Sequence, residues 1–477
     1  MSPRSSTQSQ WLGRIPLHKA AILFFALAKM TNGHEHHFEG AEGKFVSDEP
    51  IDAILWIHIL LQTFVWGILF PTGMVLGIIR SRWHVPVQIL ATGLAVLGWF
   101  LGHMHKGRQF APSAHGHFAK WIMLLLIVQV GLGLYLKLHL KRLFQDRIRK
   151  YLVLAHGVLG KALPVAAWVQ MLFGGIAALG FCHDDHLGQC LAHFIMGSAF
   201  IAYGIILTIL LLVGQAWLRS TGRSQEFFDS AIIAAWGCVN TFTEHRWGTA
   251  WVHNDVQHTT MGVIWWCAGL LGMWLARTRD GRAKRNIIPA LVILLTGYAM
   301  SSHPQTLKIS AMTHTVFGYT LMGAGLARLI EISFVLKDKA TLDETGNDPN
   351  SFQHLPPFLL YAAGFLFMGA TEEQMQLLDQ SGVDHVSYLL ILYSIAFLLY
   401  LFVNMLLHLY ASGARPVVVK LDPEGAHATP NGHLPNGYSD VQVQDAEEFE
   451  LHGLASDDED DDGDDAPLVH KEPQRAG

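Results

Sequence analysis

The sequence predicts an all-α, polytopic transmembrane helical bundle of about eleven spans, behind a cleaved signal peptide and ahead of a disordered acidic C-terminal tail. Three observations lead there. Of the 477 residues, 51% are apolar and only 15% are charged, far from the composition of a soluble domain of this length. Eleven stretches each hold roughly the 20 mostly apolar residues that a bilayer crossing needs. The basic residues between them fall almost wholly on alternate loops.

The first element is the signal. Residues 1–19 are polar and basic, then "AAILFFALA" supplies a short apolar core ending in Ala26-Leu27-Ala28, a small-x-small cleavage pattern, so residues 1–28 read as a secretory signal peptide. Residues 29–52 follow as a lumenal segment containing "HEHH" at 34–37. The spans are expected near 53–79, 85–103, 115–138, 152–179, 191–217, 231–250, 259–276, 287–301, 311–336, 355–371 and 386–411.

With the mature N-terminus lumenal, the loops after spans 1, 3, 5, 7 and 9 are cytosolic. They read "RSRWH", "KLHLKRLFQDRIRK", "LRSTGRSQEFFDS", "RTRDGRAKRN" and "KDKATLDETGN", and carry most of the positive charge. The opposite loops include "CHDDHLGQC" and "SSHPQTLK" and carry little. An odd number of spans places the C-terminus in the cytosol. There, residues 412–477 turn polar and contain the self-repelling run "SDDEDDDGDD", which cannot build a core. That tail accounts for much of the net charge of −6. The partner the composition demands is a lipid bilayer, and nothing in the chain points to nucleic acid.

Cysteine is scarce, at four residues. Cys182 and Cys190 flank a short loop predicted to face the oxidising side, so a disulfide is expected between them. Cys238 and Cys267 lie within spans as small apolar fillers.

Histidine is abundant, at 27 residues. A histidine inside a span costs free energy, and it marks a functional site unless it serves only to hydrogen-bond helices together. Depth separates the two cases. His58 and either His115 or His117 lie near the outer ends of spans 1 and 3, whereas His84 and His156 lie near the inner ends of spans 2 and 4. Two pairs at two depths on four helices suit axial ligation of two haems by neutral imidazoles. The glycines that share these helices leave room for a flat macrocycle. Gln129 follows His115 by the same 14 residues as Gln170 follows His156, close to four helical turns and so on one face.

These residues carry a resemblance. "HILLQTFVWGILFPTGMVLGIIR" (58–80), "WHVPVQ" (83–88, with His84 and Gln88), "HGHFAKWIMLLLIVQVGLG" (115–133) and "LAHGVLGKALPVAAWVQ" (154–170) are similar to the four core helices of the cytochrome b561 family. Residues 53–180 therefore resemble a ferric-reductase-type cytochrome b561 core, followed by a seven-span domain at 181–411. The whole arrangement resembles the fungal Ytp-like membrane proteins. Pro86, directly after His84, departs from the core pattern but is tolerable in a first helical turn.

The resemblance implies two b-type haems held by His58 with His115 or His117, and by His84 with His156, with Gln88, Gln129, Gln170 and Arg80 on the surrounding helix faces. It implies transmembrane electron transfer from a cytosolic donor such as ascorbate to a lumenal acceptor: a ferric chelate, another metal, or monodehydroascorbate. Arg80, Arg82, Arg149 and Lys150 would attract an anionic donor, although inside topology alone already demands basic residues there. The signal and the spans make the chain an integral membrane protein of the secretory pathway, in the plasma membrane, the vacuole or an endomembrane.

The later spans hold a second constellation. Glu244, His245, His253, Asp255 and His258 lie at the outer ends of spans 6 and 7, and His303, His314, Glu372 and Glu373 are predicted at the same level. From this set, His245, Asp255, His258, His314 and Glu372 are candidate ligands for iron, copper or zinc. A zinc-activated water there would make the alternative activity a metal-dependent membrane hydrolase, or a metal-handling protein. Glu331 and Arg328, at the inner end of span 9, read as an ion pair.

Overall fold

In the computed structural model, residues 45–138, 146–245, 248–302, 305–336 and 349–413 are described. The signal peptide, the "HEHH" tract, His303 and the acidic tail lie outside them. The protein is all-helical among the described residues, because a chain in lipid must satisfy every backbone N–H and C=O within its own segment.

The helices are α1 (Ala53–Ile78), α2 (His84–Met104), α3 (Ala114–Lys137), α4 (Asp146–Leu179), α5 (Leu187–Leu212) and α6 (Gln225–Thr243). Beyond these come α7 (His253–Leu275), α8 (Ile288–Ser301), α9 (Lys308–Ile330), α10 (Leu355–Met368), α11 (Glu372–Gln380) and α12 (His385–Gly413). Each of the eleven apolar stretches of the sequence lies largely within one of these helices. By length and composition six helices are able to cross a membrane, or seven when α10 and α11, bent by 73° at their junction, count as one.

Local chemistry sets the boundaries. Asp52 caps α1 by accepting a hydrogen bond from the Leu55 N–H at 2.8 Å. Pro86, Pro289 and the pair Pro356-Pro357 all fall in first turns, where a missing N–H costs nothing. A wide π-helical turn at Val65–Leu69 precedes Pro71 inside α1. The sixth helix starts at Gln225, not near 231 as the hydropathy suggests. Its first turns carry the polar residues Glu226 and Asp229, which hydropathy assigns to a loop.

Helices α1–α4 form one bundle around Val65, Trp66, Phe70, Ala91, Ala95, Ile122, Leu126, Leu163 and Ala167. Helices α5–α12 form a second, centred on Phe317, Leu321, Leu366 and Tyr361. Small residues bring the helices of the second bundle close: Gly237 of α6 faces Gly262 of α7 and Gly269 of α7 faces Ala234 of α6, Gly297 faces Gly318 between α8 and α9, and Gly197 faces Gly364 between α5 and α10. Trp168 of α4 ties the bundles together, donating its indole N–H to Ser198 Oγ at 3.0 Å and lying edge-on to Phe365. Large apolar side chains such as Trp56, Ile89, Trp121 and Trp274 point outward, as a lipid-facing surface requires.

Candidate functional site

The first bundle pairs its histidines. His58 of α1 and His115 of α3 stand with ring centroids 6.3 Å apart and planes at 89°, and His84 of α2 and His156 of α4 repeat the arrangement at 6.3 Å and 88°. His117, two residues from His115, is exposed and faces away from the pair. A helix turns about 100° per residue, so only one of the two can share the face of His58.

Each imidazole is seated on a glycine of the antiparallel neighbour. A methyl group at Gly102 would come within 2.6 Å of the His58 ring, at Gly77 within 2.8 Å of His84, at Gly174 within 3.1 Å of His115, and at Gly133 within 3.2 Å of His156. Glutamines one turn away use the same register. Gln62 rests on Gly98, Gln88 on Gly73 and Gln129 on Gly160. The glycines are therefore a keyed set of sockets, and larger residues there would push the imidazoles off their line.

Hydrogen bonding orients the rings. His58 Nδ1 lies 2.6 Å from the Gly98 carbonyl oxygen and His84 Nδ1 lies 2.7 Å from that of Gly73. A carbonyl only accepts, so Nδ1 carries a proton, and in the neutral imidazole Nε2 keeps its lone pair. His115 Nδ1 lies 3.2 Å from the Gln170 carbonyl, while the Gln170 amide donates to the His115 backbone carbonyl at 3.0 Å. Gln129 makes the equivalent bond to the His156 carbonyl at 3.0 Å. His156 Nδ1 is buried with no partner.

This donor set fits a bis-imidazole metal cofactor. A metal–imidazole bond of about 2 Å on each side, added to the radii of both rings, spans the 6.3 Å between centroids. The two sockets stand 18 residues apart on α2, from His84 to the glycine beneath His58, roughly 27 Å of helix at about 1.5 Å per residue. They occupy opposite ends of the bundle.

The His58 end is closed by a knot of loops. The Asp52 carboxylate accepts from the backbone of Lys106 and Gly107 as well as from Leu55, and Phe45 stacks on His183 at 3.5 Å. Those backbone donors hold the Asp52 carboxyl below its ordinary range. The His84 end carries Arg80, Arg82, Arg149 and Lys150, with Arg80 in a left-handed conformation at φ 54°.

Residues of the second constellation separate into pairs. His245 meets Asp255 at 2.9 Å with Trp251 stacked on its ring, His258 lies 3.6 Å from Glu244, and Glu372 lies 3.6 Å from His186. His253 is exposed. His314 faces His193 of α5, their ring centroids 6.0 Å apart at 82°. Cys182 and Cys190 form a disulfide with Cα atoms 5.4 Å apart, and Glu373 accepts from the Cys182 N–H at 2.8 Å. Among the described residues, the ligand atoms of Cys182, Cys190 and Glu373 lie together, but both sulfurs are committed to the disulfide and neither is a thiolate ligand.

Sequence reasoning missed two features. His193 lies at the outer end of its span like His314, so depth alone was a usable signal. Glu226, Asp229 and Arg285 were assigned to loops, yet all three are buried. Glu226 and Asp229, three residues apart at a helix start, share a face, which was the available hint.

A family model described as "Protein YTP1-like, C-terminal" matches residues 166–411, and a domain of unknown function, DUF2427, matches residues 39–139. His156 lies between the two matches. Protein YTP1 of Saccharomyces cerevisiae is 43% identical over 316 residues, covering 66% of this chain and 64% of the yeast protein, so the match spans less than two thirds of that relative. An uncharacterized membrane protein of Schizosaccharomyces pombe is 22% identical over 447 residues, covering 67% of this chain and 86% of its own. An uncharacterized membrane protein of Saccharomyces cerevisiae is 24% identical over 257 residues, covering 43% of this chain and 40% of its own. No solved structure matches the chain.

Proposed function

The chain belongs to the YTP1-like family of membrane proteins, and for this member we propose transmembrane electron transfer through two b-type haems. The observation that carries the reading is the repeat of one geometry, two histidines from different helices at 6.3 Å and close to a right angle, at opposite ends of one four-helix bundle. His58 and His115 would hold one haem, and His84 and His156 the other. Haem b supplies one-electron chemistry, its potential set by axial ligands, burial and hydrogen bonding.

The protein's own part is preparation. Carbonyl acceptors at Gly98 and Gly73 keep Nε2 of His58 and His84 unprotonated and aimed, so that no proton has to leave before a metal binds. Glycine sockets fix each ring against its neighbouring helix, and the apolar core of Val65, Ile122, Leu126 and Leu163 between the levels excludes water.

In this reading all eleven apolar helices cross the bilayer and the basic end of the bundle is cytosolic. Arg80, Arg82, Arg149 and Lys150 raise the local concentration of an anionic reductant of the ascorbate class. The acceptor at the lumenal end is a ferric chelate, another metal ion or monodehydroascorbate.

The test is the visible spectrum of the purified protein. The proposal expects dithionite-reducible haem b bands, with two haems per chain by pyridine haemochrome. A colourless protein after expression with ample haem overturns it, and a colourless protein with stoichiometric zinc points instead to the metal-dependent alternative at His245, Asp255 and their neighbours.

A further inference from the structure

The second bundle holds a half-open cavity of about 170 Å³ between α5, α6, α7, α8, α9 and α10. Its walls are almost wholly apolar and rich in aromatic rings: Phe200, Tyr203, Trp236 and Trp265. At one end stand Asp229 and Arg328. Their surroundings decide what the cavity can accept.

Both terminal nitrogens of Arg328 are taken by glutamates, and its Nε is buried with no hydrogen-bond partner among the described residues. Its Nη2 donates to Glu226 at 2.7 Å and its Nη1 to Glu331 at 2.6 Å, and Glu226 also receives Arg285 Nη1 at 2.7 Å. Gln353 completes Glu331 at 3.1 Å. Among the described residues the cluster thus holds three carboxylates, Glu226, Asp229 and Glu331, against two guanidiniums, Arg285 and Arg328, whose ion pairs there go to the two glutamates. Asp229 is 6% exposed, receives a hydrogen bond from the Tyr203 hydroxyl, and makes no ion pair among the described residues.

We infer that this cavity is a binding site for a small lipophilic amine, bound as its cation with the charged nitrogen at Asp229. One positive charge balances these groups, and burying a carboxylate without an ion-pair counter-charge inside a membrane domain is costly. An inorganic cation is poorly served, because the cavity offers few oxygen ligands beyond Asp229 and Tyr203. An organic cation is well served: its charge lies against aromatic faces that attract cations, and its apolar body meets apolar walls. The size agrees, since about 150 Å³ suffices for benzene in a dry engineered cavity. The inference is independent of the haem reading, because no residue of the His58–His156 set lines this cavity.

The experiment uses the full chain in lipid nanodiscs and equilibrium dialysis of radiolabelled N,N-dimethylbenzylamine against its neutral carbon isostere, isobutylbenzene, with empty nanodiscs as background. The wild type is expected to bind the amine at least tenfold more tightly than the isostere. Asp229→Asn, which keeps shape and the Tyr203 contact, should bring that ratio to about one. Ile233→Phe, which narrows the cavity while keeping the carboxylate, should lower amine binding by at least tenfold. A wild type that binds amine and isostere alike overturns the inference and marks Asp229 as a neutral acid. Preference for the amine that survives Asp229→Asn, or binding unchanged by Ile233→Phe, overturns it as well.

Discussion

The side-chain amide of Gln129 donates to the backbone carbonyl of His156 at 3.0 Å, and Gln170 returns the same bond to the His115 carbonyl across the same pair of helices. Helices α3 and α4 are therefore locked in one antiparallel register by two reciprocal bonds, each placed at a histidine. The bonds put His115 and His156 at opposite ends of the pair, where α1 and α2 offer His58 and His84.

Loss of a single imidazole should remove one cofactor and spare the other. His156→Ala is expected to lower the haem content from two to one per chain, with the remaining haem keeping its potential. Redox titration of the purified variant checks this, and retention of both haems would show that these histidines only pack.

The sockets make a sharper prediction than the ligands. Gly102→Ala places a methyl group 2.6 Å from the His58 ring, whereas nothing lies within 4 Å of the same group at Gly67. Gly102→Ala should displace the His58 imidazole and reduce or shift the bands of that haem alone. Gly67→Ala, an open site on α1, the helix that carries His58, should leave both spectra unchanged.

Acid should open the loop knot at the His58 end. The backbone N–H of Lys106 and those of Leu55 and Gly107 hold the Asp52 carboxyl below its ordinary value near 3.8. A lowered folded value means that the contribution to stability is present above the ordinary value and is lost as pH falls through the folded one. Hydrogen-exchange protection of residues 105–110, relative to the free peptide at each pH, should therefore be high at neutral pH and fall below about pH 4. Asp52→Asn should remove that acid dependence.

The buried charge cluster should be brittle. Glu226 accepts from two arginines and is fully buried, so Glu226→Gln breaks an ion pair to each guanidinium, leaving Arg328 with Glu331. Removing one partner of a buried ion pair costs roughly 3–5 kcal/mol. Thermal unfolding of the variant in nanodiscs should show a fall in Tm of several degrees, with the spectrum of the first bundle unaltered up to the transition.

The amino-acid sequence by itself determined where most of the helices lie and at which end of its helix each paired histidine of the first bundle sits. Both follow from local physics: lipid forces the backbone into helices, and a fixed rise per residue converts position in the chain into depth. The 14-residue spacing of His115 to Gln129 and His156 to Gln170 was legible for the same reason. Tertiary structure decided the partners. It chose His115 over His117, set four imidazoles on four glycines, joined His193 to His314, and gathered Glu226, Arg285, Arg328 and Glu331 from separate helices into one buried cluster. Those choices depend on the rotation and register of one helix against another. Packing between small residues sets that register, and no single segment encodes it.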